Sequence, residues 1–258
     1  MRKVKLTLEY DGTGFYGWQV QAKTGERTVQ GTLQTALSDI PGAVPRIMAA
    51  GRTDAGVHAL AMTAHYLTED AVPIARAAAA LNARLPGDVR VLAAEDAPPE
   101  FESQFGCRYR RYEYRLRSLR GAGSVAGSAL GRFRTLFLSQ RLDVGAMQAA
   151  APFFEGTHDF AALATQETRG TVRTVFRCRL AVHGADLTLH VVADGFLRNM
   201  VRALVGTLLW VGEGKLRPET IPLCLATKDR RRMGPNVPPH GLYFVEAGYT
   251  PWVAEGRL

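Results

Sequence analysis

The sequence predicts an α+β protein whose strands form a largely antiparallel sheet. Segments with an apolar residue at every second position, the strand pattern, are mixed along all 258 residues with segments of helical apolar spacing. Hairpin-like pairs of strands outnumber strand–helix–strand units, which favours antiparallel pairing. These observations together assign the chain to the α+β class.

The first half of the chain opens with a strand at residues 4–10, where apolar and polar residues alternate. Apolar residues at helical spacing then predict a helix from Val29 to Ile40. A turn at 51–56 separates the next two strands. The elements predicted after the first helix are a strand at 47–50, a strand at 60–66, a helix at 73–84 and a strand at 89–93.

A segment containing two prolines, Ala97–Glu100, is the best candidate for a boundary between two halves. We therefore predict an N-terminal half at 1–104 and a C-terminal half at 105–258. The elements predicted in the second half are a strand at 108–117, a helix at 144–154, a hairpin of 172–182 and 187–193, helices at 197–211 and 221–226, and a last strand at 242–247.

Composition indicates an intracellular protein and leaves open whether it binds a polyanion. The formal net charge is +8, so nucleic acid is the first partner to consider, although a basic protein without such a partner fits equally well. The three cysteines, Cys107, Cys178 and Cys224, lie far apart and form no metal or redox pair. The longest uncharged run, 203–212, is about half the roughly 20 residues that span a bilayer. We expect a cytoplasmic protein without a membrane segment.

Residues 12–17 read G-x-G-x-x-G after a strand, as in dinucleotide-binding proteins. The following segment, 18–25, is polar and contains no apolar helix, so an oxidoreductase is a minor alternative. Phe15, Tyr16 and Trp18 in this loop have two interpretations: stacking on nucleotides, or anchoring of the loop to the core.

Residues 108–120 hold six arginines and three tyrosines. Strand alternation places Tyr112 and Tyr114 on one face, and Arg111 and Arg115 on the other. Arginines and tyrosines together suit an RNA surface, because the cations bind phosphate and the rings stack on bases. A solvated edge strand with tyrosines in the core is the alternative.

The predicted helix at 197–211 carries Arg198 and Arg202 four residues apart, hence on one flank near its N-terminus. Arginine is unfavourable there unless an anion lies opposite, because the helix N-terminus is itself positive. The pair therefore indicates an anion site, with simple solvation of both side chains as the alternative.

The most specific segment is the turn at 51–56, where glycines bracket Arg52, Thr53 and Asp54. A tight loop of this kind presents a carboxylate beside a guanidinium. Such a pair is either a structural ion pair or the charged centre of a catalytic site.

These segments, taken in order, resemble the TruA family of tRNA pseudouridine synthases over nearly the whole chain. The chain departs from the family pattern at Ala61 and Met62, at Asn199 and at His240, none of them in the turn at 51–56 that contains Asp54. The segments that carry the resemblance are 9–12, 16–19, 28–30, 51–58, 82–88, 111–114, 158–160, 173–174, Phe196, 200–202 and 241–245.

The resemblance implies isomerisation of uridine to pseudouridine in the anticodon stem-loop of tRNA. Target uridines at tRNA positions 38–40 lie where flipping a base costs only a few kcal/mol. Asp54 would be the nucleophile, and attack on C1′ of the ribose and on C6 of the base are both open. Tyr112 would stack on the flipped uracil, and Arg202 would be the basic partner of the aspartate.

The resemblance further implies that Arg52 holds a phosphate of the extruded nucleotide, and that Arg198, Arg111 and Leu242 contribute to substrate binding. It implies the pseudouridine synthase fold, in which two halves share one long mixed sheet flanked by helices and enclose an active-site cleft. A homodimer that binds tRNA is expected. No cofactor or metal is expected, since the reaction moves no electrons overall. The alternative is an RNA chaperone, a protein that binds RNA without catalysing a reaction.

Overall fold

The structure, a computed structural model, describes residues 1–21, 25–69, 72–119, 127–165 and 170–254. The helices are α1 (Val29–Ser38), α2 (Ile74–Asn82), α3 (Val144–Ala150), α4 (Met200–Gly212) and α5 (Ile221–Ala226). The strands are β1 (Arg2–Tyr10), β2 (Ala43–Ala49), β3 (His58–Thr68), β4 (Val89–Ala97), β5 (Tyr109–Ser118), β6 (Leu136–Leu138), β7 (Gly156–Asp159), β8 (Val172–His183), β9 (Asp186–Ala193) and β10 (Leu242–Gly248).

The chain forms two compact units. The first contains Met1–Arg108 and the segment that begins at Tyr243, and the second contains Tyr109–Leu242. The sequence-based halves, 1–104 and 105–258, place the last strand in the C-terminal half. In the structure its residues from Tyr243 pack with the first unit, because they pair in parallel with β3.

The sheet of the first unit is mixed. β1 lies between β3 and β4 and is antiparallel to both, β2 also pairs with β3 in antiparallel fashion, and β10 joins β3 in parallel. The side chains of Val4, Leu6 and Leu8 alternate along β1 and are fully buried. This burial explains the period-two pattern of the sequence, since successive side chains of a strand point to opposite faces.

The sheet of the second unit has the order β5-β9-β8-β7 and is antiparallel along that path, whereas β6 pairs with β5 in parallel. On β5 the side chains of Tyr112 and Tyr114 are buried, and Arg111 and Arg115 on the other face are partly exposed. The predicted alternation of this basic strand is confirmed. Arg120, the last arginine of the predicted segment, lies outside the described residues. The α+β class with mixed, largely antiparallel pairing is likewise confirmed.

The helix predicted at 144–154 is shorter than expected. α3 ends at Ala150, and a 3-10 turn, Ala151–Phe154, takes its place. Pro152 accounts for this ending, because proline lacks the N–H that an α-helix interior needs and its ring clashes with the preceding turn. The short strands β6 and β7 were not expected from the sequence.

The helix predicted at 197–211 begins three residues later than expected. Asn199 has a left-handed backbone (φ 62°), and α4 starts at Met200. Asparagine adopts this conformation more readily than most residues. Because a left-handed residue cannot be part of a right-handed helix, the helix begins only after Asn199. The expectation that Arg198 and Arg202 share one helix flank is therefore wrong, because Arg198 precedes the helix and only Arg202 lies in its first turn.

Asp159, at the end of β7, is bound by three donors. Its carboxylate contacts the Lys228 ammonium at 2.6 Å and accepts hydrogen bonds from the Thr171 hydroxyl at 2.6 Å and the Ala161 N–H at 3.0 Å. The Lys228 contact is the main reason that the pKa of Asp159 falls to about 2. Because this pKa is depressed, the ionised group stabilises the fold above the unfolded value of about 4, and the stabilisation is lost as the pH falls toward about 2.

We therefore expect Asp159→Asn to lower the thermal unfolding midpoint at pH 7 and to lower it progressively less below pH 4. The measurement is the midpoint of both proteins at pH 7, 5 and 3. A difference that stays constant across this range would show that the carboxylate charge is not what stabilises this turn.

Candidate functional site

The loop that connects β2 to β3 in the first unit, residues 50–57, contains Asp54 and is here called the aspartate loop. Within it the Val57 N–H donates to the Asp54 carbonyl at 3.2 Å, which closes a turn. Thr53 is buried, Asp54 is half-buried and Arg52 is exposed. The loop thus presents the Asp54 carboxylate and the Arg52 guanidinium from one short stretch of backbone, as the sequence predicts.

Thr53 anchors this loop to the strand and loop that open the chain. Its hydroxyl is hydrogen-bonded to the Tyr10 phenol at 2.8 Å, in a buried contact. Its carbonyl accepts from the Trp18 N–H at 3.0 Å, and the Gly56 N–H donates to the Phe15 carbonyl at 3.2 Å. The backbone on both sides of Asp54 is therefore held by the segment from Tyr10 to Trp18.

Two glycines allow this close approach. A Cβ atom at Gly12 would lie 2.0 Å from the Val57 carbonyl oxygen. Gly17 has a positive φ of 83°, and a Cβ there would lie 2.7 Å from the Thr53 carbonyl oxygen. Real Cβ atoms do not approach backbone oxygens this closely, so any side chain at either position would displace the aspartate loop.

The glycine-rich segment does not open a helix. Gly12–Gly14 form a 3-10 turn, and in the described residues the chain stays non-helical until α1, with Ala22, Lys23 and Thr24 outside the description. A dinucleotide fingerprint leads directly into a helix whose N-terminus binds the pyrophosphate. The oxidoreductase alternative therefore has no structural support.

Of the three aromatic residues at 15–18, two anchor the loop to the core and one is available for stacking on a nucleotide. Phe15 and Trp18 are buried, which is the anchoring role, whereas the Tyr16 side chain is 49% exposed. Arg27 lies over the Phe15 ring at 4.1 Å and forms a two-pronged pair with Asp88 at 2.6 and 2.8 Å. This carboxylate raises the pKa of Arg27. Only Tyr16 presents a ring that a nucleotide could reach.

In the second unit, Tyr112 projects from β5 beside Phe196. The two rings meet edge to face, with centroids 4.9 Å apart and an interplanar angle of 78°. The backbone of Tyr112 is paired with Val191 of β9. A sheet strand and an aromatic neighbour thus fix the plane of the Tyr112 ring, and a fixed ring is what stacking on a flat base requires.

Arg202, in the first turn of α4, has an oriented guanidinium. Its Nε donates to the Val237 carbonyl at 2.7 Å, and one terminal nitrogen donates to the Asn199 side-chain oxygen at 2.7 Å. The left-handed conformation of Asn199 places this acceptor beside the helix start. Two short hydrogen bonds on different nitrogens define the direction of the planar group.

Tyr114, two residues after Tyr112, contacts Pro238, the residue that follows Val237. Its phenol donates to the Pro238 carbonyl at 2.7 Å. Burial raises the pKa of Tyr114, and the positive charge of Arg202 opposes this effect. Tyr114 is therefore a neutral donor at neutral pH, and it acts as a buried structural residue next to Arg202.

The remaining predicted site residues have distinct environments. Arg198 is exposed, and its carbonyl accepts a hydrogen bond from the Thr165 N–H at 3.2 Å. Arg111 is partly exposed on the face of β5 opposite Tyr112. Leu242 is buried at the start of β10. The structure thus gathers Arg52 and Asp54 in one loop of the first unit and fixes Tyr112 and Arg202 within the second.

Residues that hold these groups were not predicted from the sequence. Tyr10 fixes the aspartate loop, and Asn199 and Val237 orient Arg202. Tyr10 belongs to the segment 9–12 that carries the family resemblance, which is the signal that could have singled it out. Asn199 stood out only as a departure from the family pattern.

In the described parts of the chain, no group of three or more histidine, cysteine or carboxylate side chains is arranged to hold a metal ion. Among the same residues, no helix combines the length and the apolar surface needed to cross a bilayer.

A family model described as tRNA pseudouridine synthase matches residues 7–110 and 150–250. The chain belongs to this family. The Thermus thermophilus tRNA pseudouridine synthase A is 45% identical over 253 residues, which cover 96% of this chain and 97% of the relative. The proteins of that name from Citrifermentans bemidjiense and Caldicellulosiruptor bescii are 41% and 38% identical, over 96% of this chain and 98% and 100% of theirs. The resemblance found in the sequence is confirmed.

Proposed function

We propose that this member of the tRNA pseudouridine synthase family isomerises uridine in the anticodon arm of tRNA, with Asp54 as its nucleophile. The observation that carries the proposal is the fixed presentation of Asp54, on a loop held by the Tyr10 phenol and by two backbone hydrogen bonds between the loop and the segment 15–18. A nucleophile on a constrained loop needs little reorganisation to reach the attacking geometry.

The reaction breaks the bond between C1′ of the ribose and N1 of uracil and forms a bond between C1′ and C5. The proton on C5 is lost and N1 gains one, so atoms and electrons balance without an oxidant or reductant. A carboxylate suits this task because it is ionised at neutral pH and can leave again once the new bond has formed. Attack of Asp54 on C1′ and on C6 are both compatible with this balance.

Tyr112 and Arg202 are the two further residues proposed to act in catalysis. The Tyr112 ring, held edge to face against Phe196, would stack on the flipped uracil. The Arg202 guanidinium, with two of its nitrogens already donating to protein oxygens, keeps a fixed direction and supplies a permanent positive charge. A fixed charge of this kind stabilises developing negative charge better than a mobile one.

Substrate binding is proposed for Arg52 and Arg198, whose exposed guanidinium groups suit phosphate oxygens. Arg111 and Leu242 are proposed as further contacts. The net charge of +8 supports a polyanionic substrate. Uridines at positions 38–40 of tRNA as targets, a homodimeric assembly and a cytoplasmic location, all expected from the family resemblance, are parts of the same proposal.

The test uses an unmodified tRNA transcript with uridines in the lower anticodon stem, labelled with tritium at uracil C5. Because C5 loses its hydrogen, tritium release without any added cofactor reports the reaction directly. We expect release with the wild-type protein. Tight tRNA binding without release would favour the RNA chaperone instead.

The Tyr10 phenol is predicted to position the aspartate loop. Tyr10→Phe keeps the buried ring and removes only the hydroxyl that bonds Thr53, so we expect kcat to fall about 10-fold with KM nearly unchanged. Tyr249→Phe is the matched control, since it removes a phenol that donates to the Ser103 carbonyl at 2.8 Å in the same unit. Equal losses of kcat in the two variants would contradict a specific role for Tyr10.

A further inference from the structure

The segment Met233–Pro238, here called the bracing loop, packs against α4 at unusually short range. A Cβ atom at Gly206 of α4 would lie 1.8 Å from the Pro235 carbonyl oxygen, and one at Gly234 would lie 2.1 Å from the Gly206 carbonyl carbon. The Gly234 N–H also donates to the buried Thr207 hydroxyl at 3.0 Å. The loop and the helix therefore touch backbone to backbone.

The bracing loop holds Arg202 at two atoms. The Val237 carbonyl accepts the Arg202 Nε–H at 2.7 Å, and the Val237 N–H donates to the Arg202 carbonyl at 3.3 Å. Pro238, next in the chain, accepts the Tyr114 phenol from β5. The loop thus ties the first turn of α4 to the strand that carries Tyr112, entirely within the second unit.

Arg230 donates hydrogen bonds to the bracing loop. One terminal nitrogen donates to the carbonyls of Met233 and Gly234, at 3.1 and 2.7 Å, and the other donates to the Asn236 side-chain oxygen at 3.1 Å. Three acceptors along four residues fix the curvature of this loop, since one planar guanidinium must satisfy them together.

Its neighbour Arg231 differs in exposure and in hydrogen-bond partners. The Arg231 side chain is 89% exposed and pairs with the Asp229 carboxylate at 3.0 Å, which raises the pKa of Arg231. Arg230 is partly buried, its donors are directed to loop oxygens, and burial lowers its pKa. Two adjacent arginines of equal charge therefore have separate tasks, one in the solvent and one in the bracing loop.

We propose that Arg230 is a positioning residue for Arg202, which acts by holding Val237 where it accepts the Arg202 Nε–H. The inference rests on the proposed function for its catalytic consequence only. Displacement of a catalytic group by about 1 Å is enough to cost up to about 10²-fold in rate. Loss of the Arg230 fork shifts the loop without removing any group that touches the substrate.

The test compares Arg230→Met with Arg231→Met, which remove the same charge from adjacent positions. For Arg230→Met we expect kcat for tritium release to fall about 10-fold with KM changed less than about 2-fold. For Arg231→Met we expect kcat to stay within about 2-fold of the wild type. Equal kcat in both variants, or a loss confined to KM in Arg230→Met, overturns the inference.

A double variant separates positioning from a general loss of structure. In an Arg202→Met background, Arg230→Met should lower kcat by less than about 2-fold further, because its effect passes through Arg202. A full additional 10-fold loss would overturn the inference. Should Arg230→Met fail to fold, Asn236→Ala removes one of the three acceptors and should lower kcat about 3-fold, and an unchanged kcat there would overturn it.

A measurement without turnover keeps this inference distinct from the proposed function. The Arg202 Nε–H should exchange slowly with solvent in the wild type, as seen by ¹⁵N NMR and assigned by its loss in Arg202→Lys. We expect faster exchange in Arg230→Met and wild-type exchange in Arg231→Met. Absence of tritium release from the wild type refutes the proposed function, whereas unchanged exchange in Arg230→Met refutes the bracing role.

Discussion

Asp54→Asn is expected to bind tRNA about as tightly as the wild type and to form pseudouridine at least about 10³-fold more slowly. Asparagine has nearly the shape of aspartate, so the Thr53 hydroxyl contact with Tyr10 and the backbone contacts of the loop at Thr53 and Val57 remain. Only the negative oxygen is lost. The amide is a far weaker nucleophile than the carboxylate, and the loss should therefore appear in kcat with little change in KM.

The measurement is tritium release under single-turnover conditions, together with tRNA affinity from a filter-binding titration. Asp39→Asn is the matched control, because it makes the same change in the same unit, at the exposed C-terminal end of α1. Asp39→Asn should retain wild-type turnover. Turnover of Asp54→Asn within about 10-fold of the wild type would return Asp54 to the role of a structural ion-pair partner of Arg52.

The elements predicted correctly are those whose pattern is local. The helix at 221–226 is predicted from the apolar spacing of its own residues, and the hairpin of β8 and β9 from two alternating segments joined by a short turn. Both signals lie within the segment that adopts the structure. β6 and β7 are three and four residues long, too short for a period to show. Their strand conformation depends on pairing with β5 and β8, which the local sequence does not encode.

The sequence suggested candidate residues for the site, but it did not suggest the residues that hold them in place. Asp54 stands in a distinctive segment, whereas the contact between Tyr10 and Thr53 joins residues 43 positions apart. Long-range contacts of this kind arise only from the fold. The same limit explains Phe15 and Trp18, whose type suits nucleotide stacking and core packing equally well until their burial is known.

Gly206→Ala is expected to lower the free energy of unfolding by about 2–4 kcal/mol. Intrinsic helix propensity predicts the opposite, because alanine in a helix interior is more favourable than glycine by about 1 kcal/mol. The added Cβ would lie 1.8 Å from the Pro235 carbonyl oxygen, which is a backbone atom and cannot rotate away. Either the bracing loop or α4 must shift, and the clash therefore outweighs the propensity.

The measurement is the urea midpoint of unfolding for Gly206→Ala and for Gly145→Ala. Gly145 lies in α3, where the nearest atom to an added Cβ is an Asp143 carboxylate oxygen at 3.4 Å, an ordinary contact. Gly145→Ala should therefore be neutral or stabilising by up to about 1 kcal/mol. Protein of Gly206→Ala that remains folded should also lose kcat, because the displaced loop carries the Val237 carbonyl that orients Arg202. A wild-type midpoint for Gly206→Ala would mean that the loop and the helix do not meet at this distance.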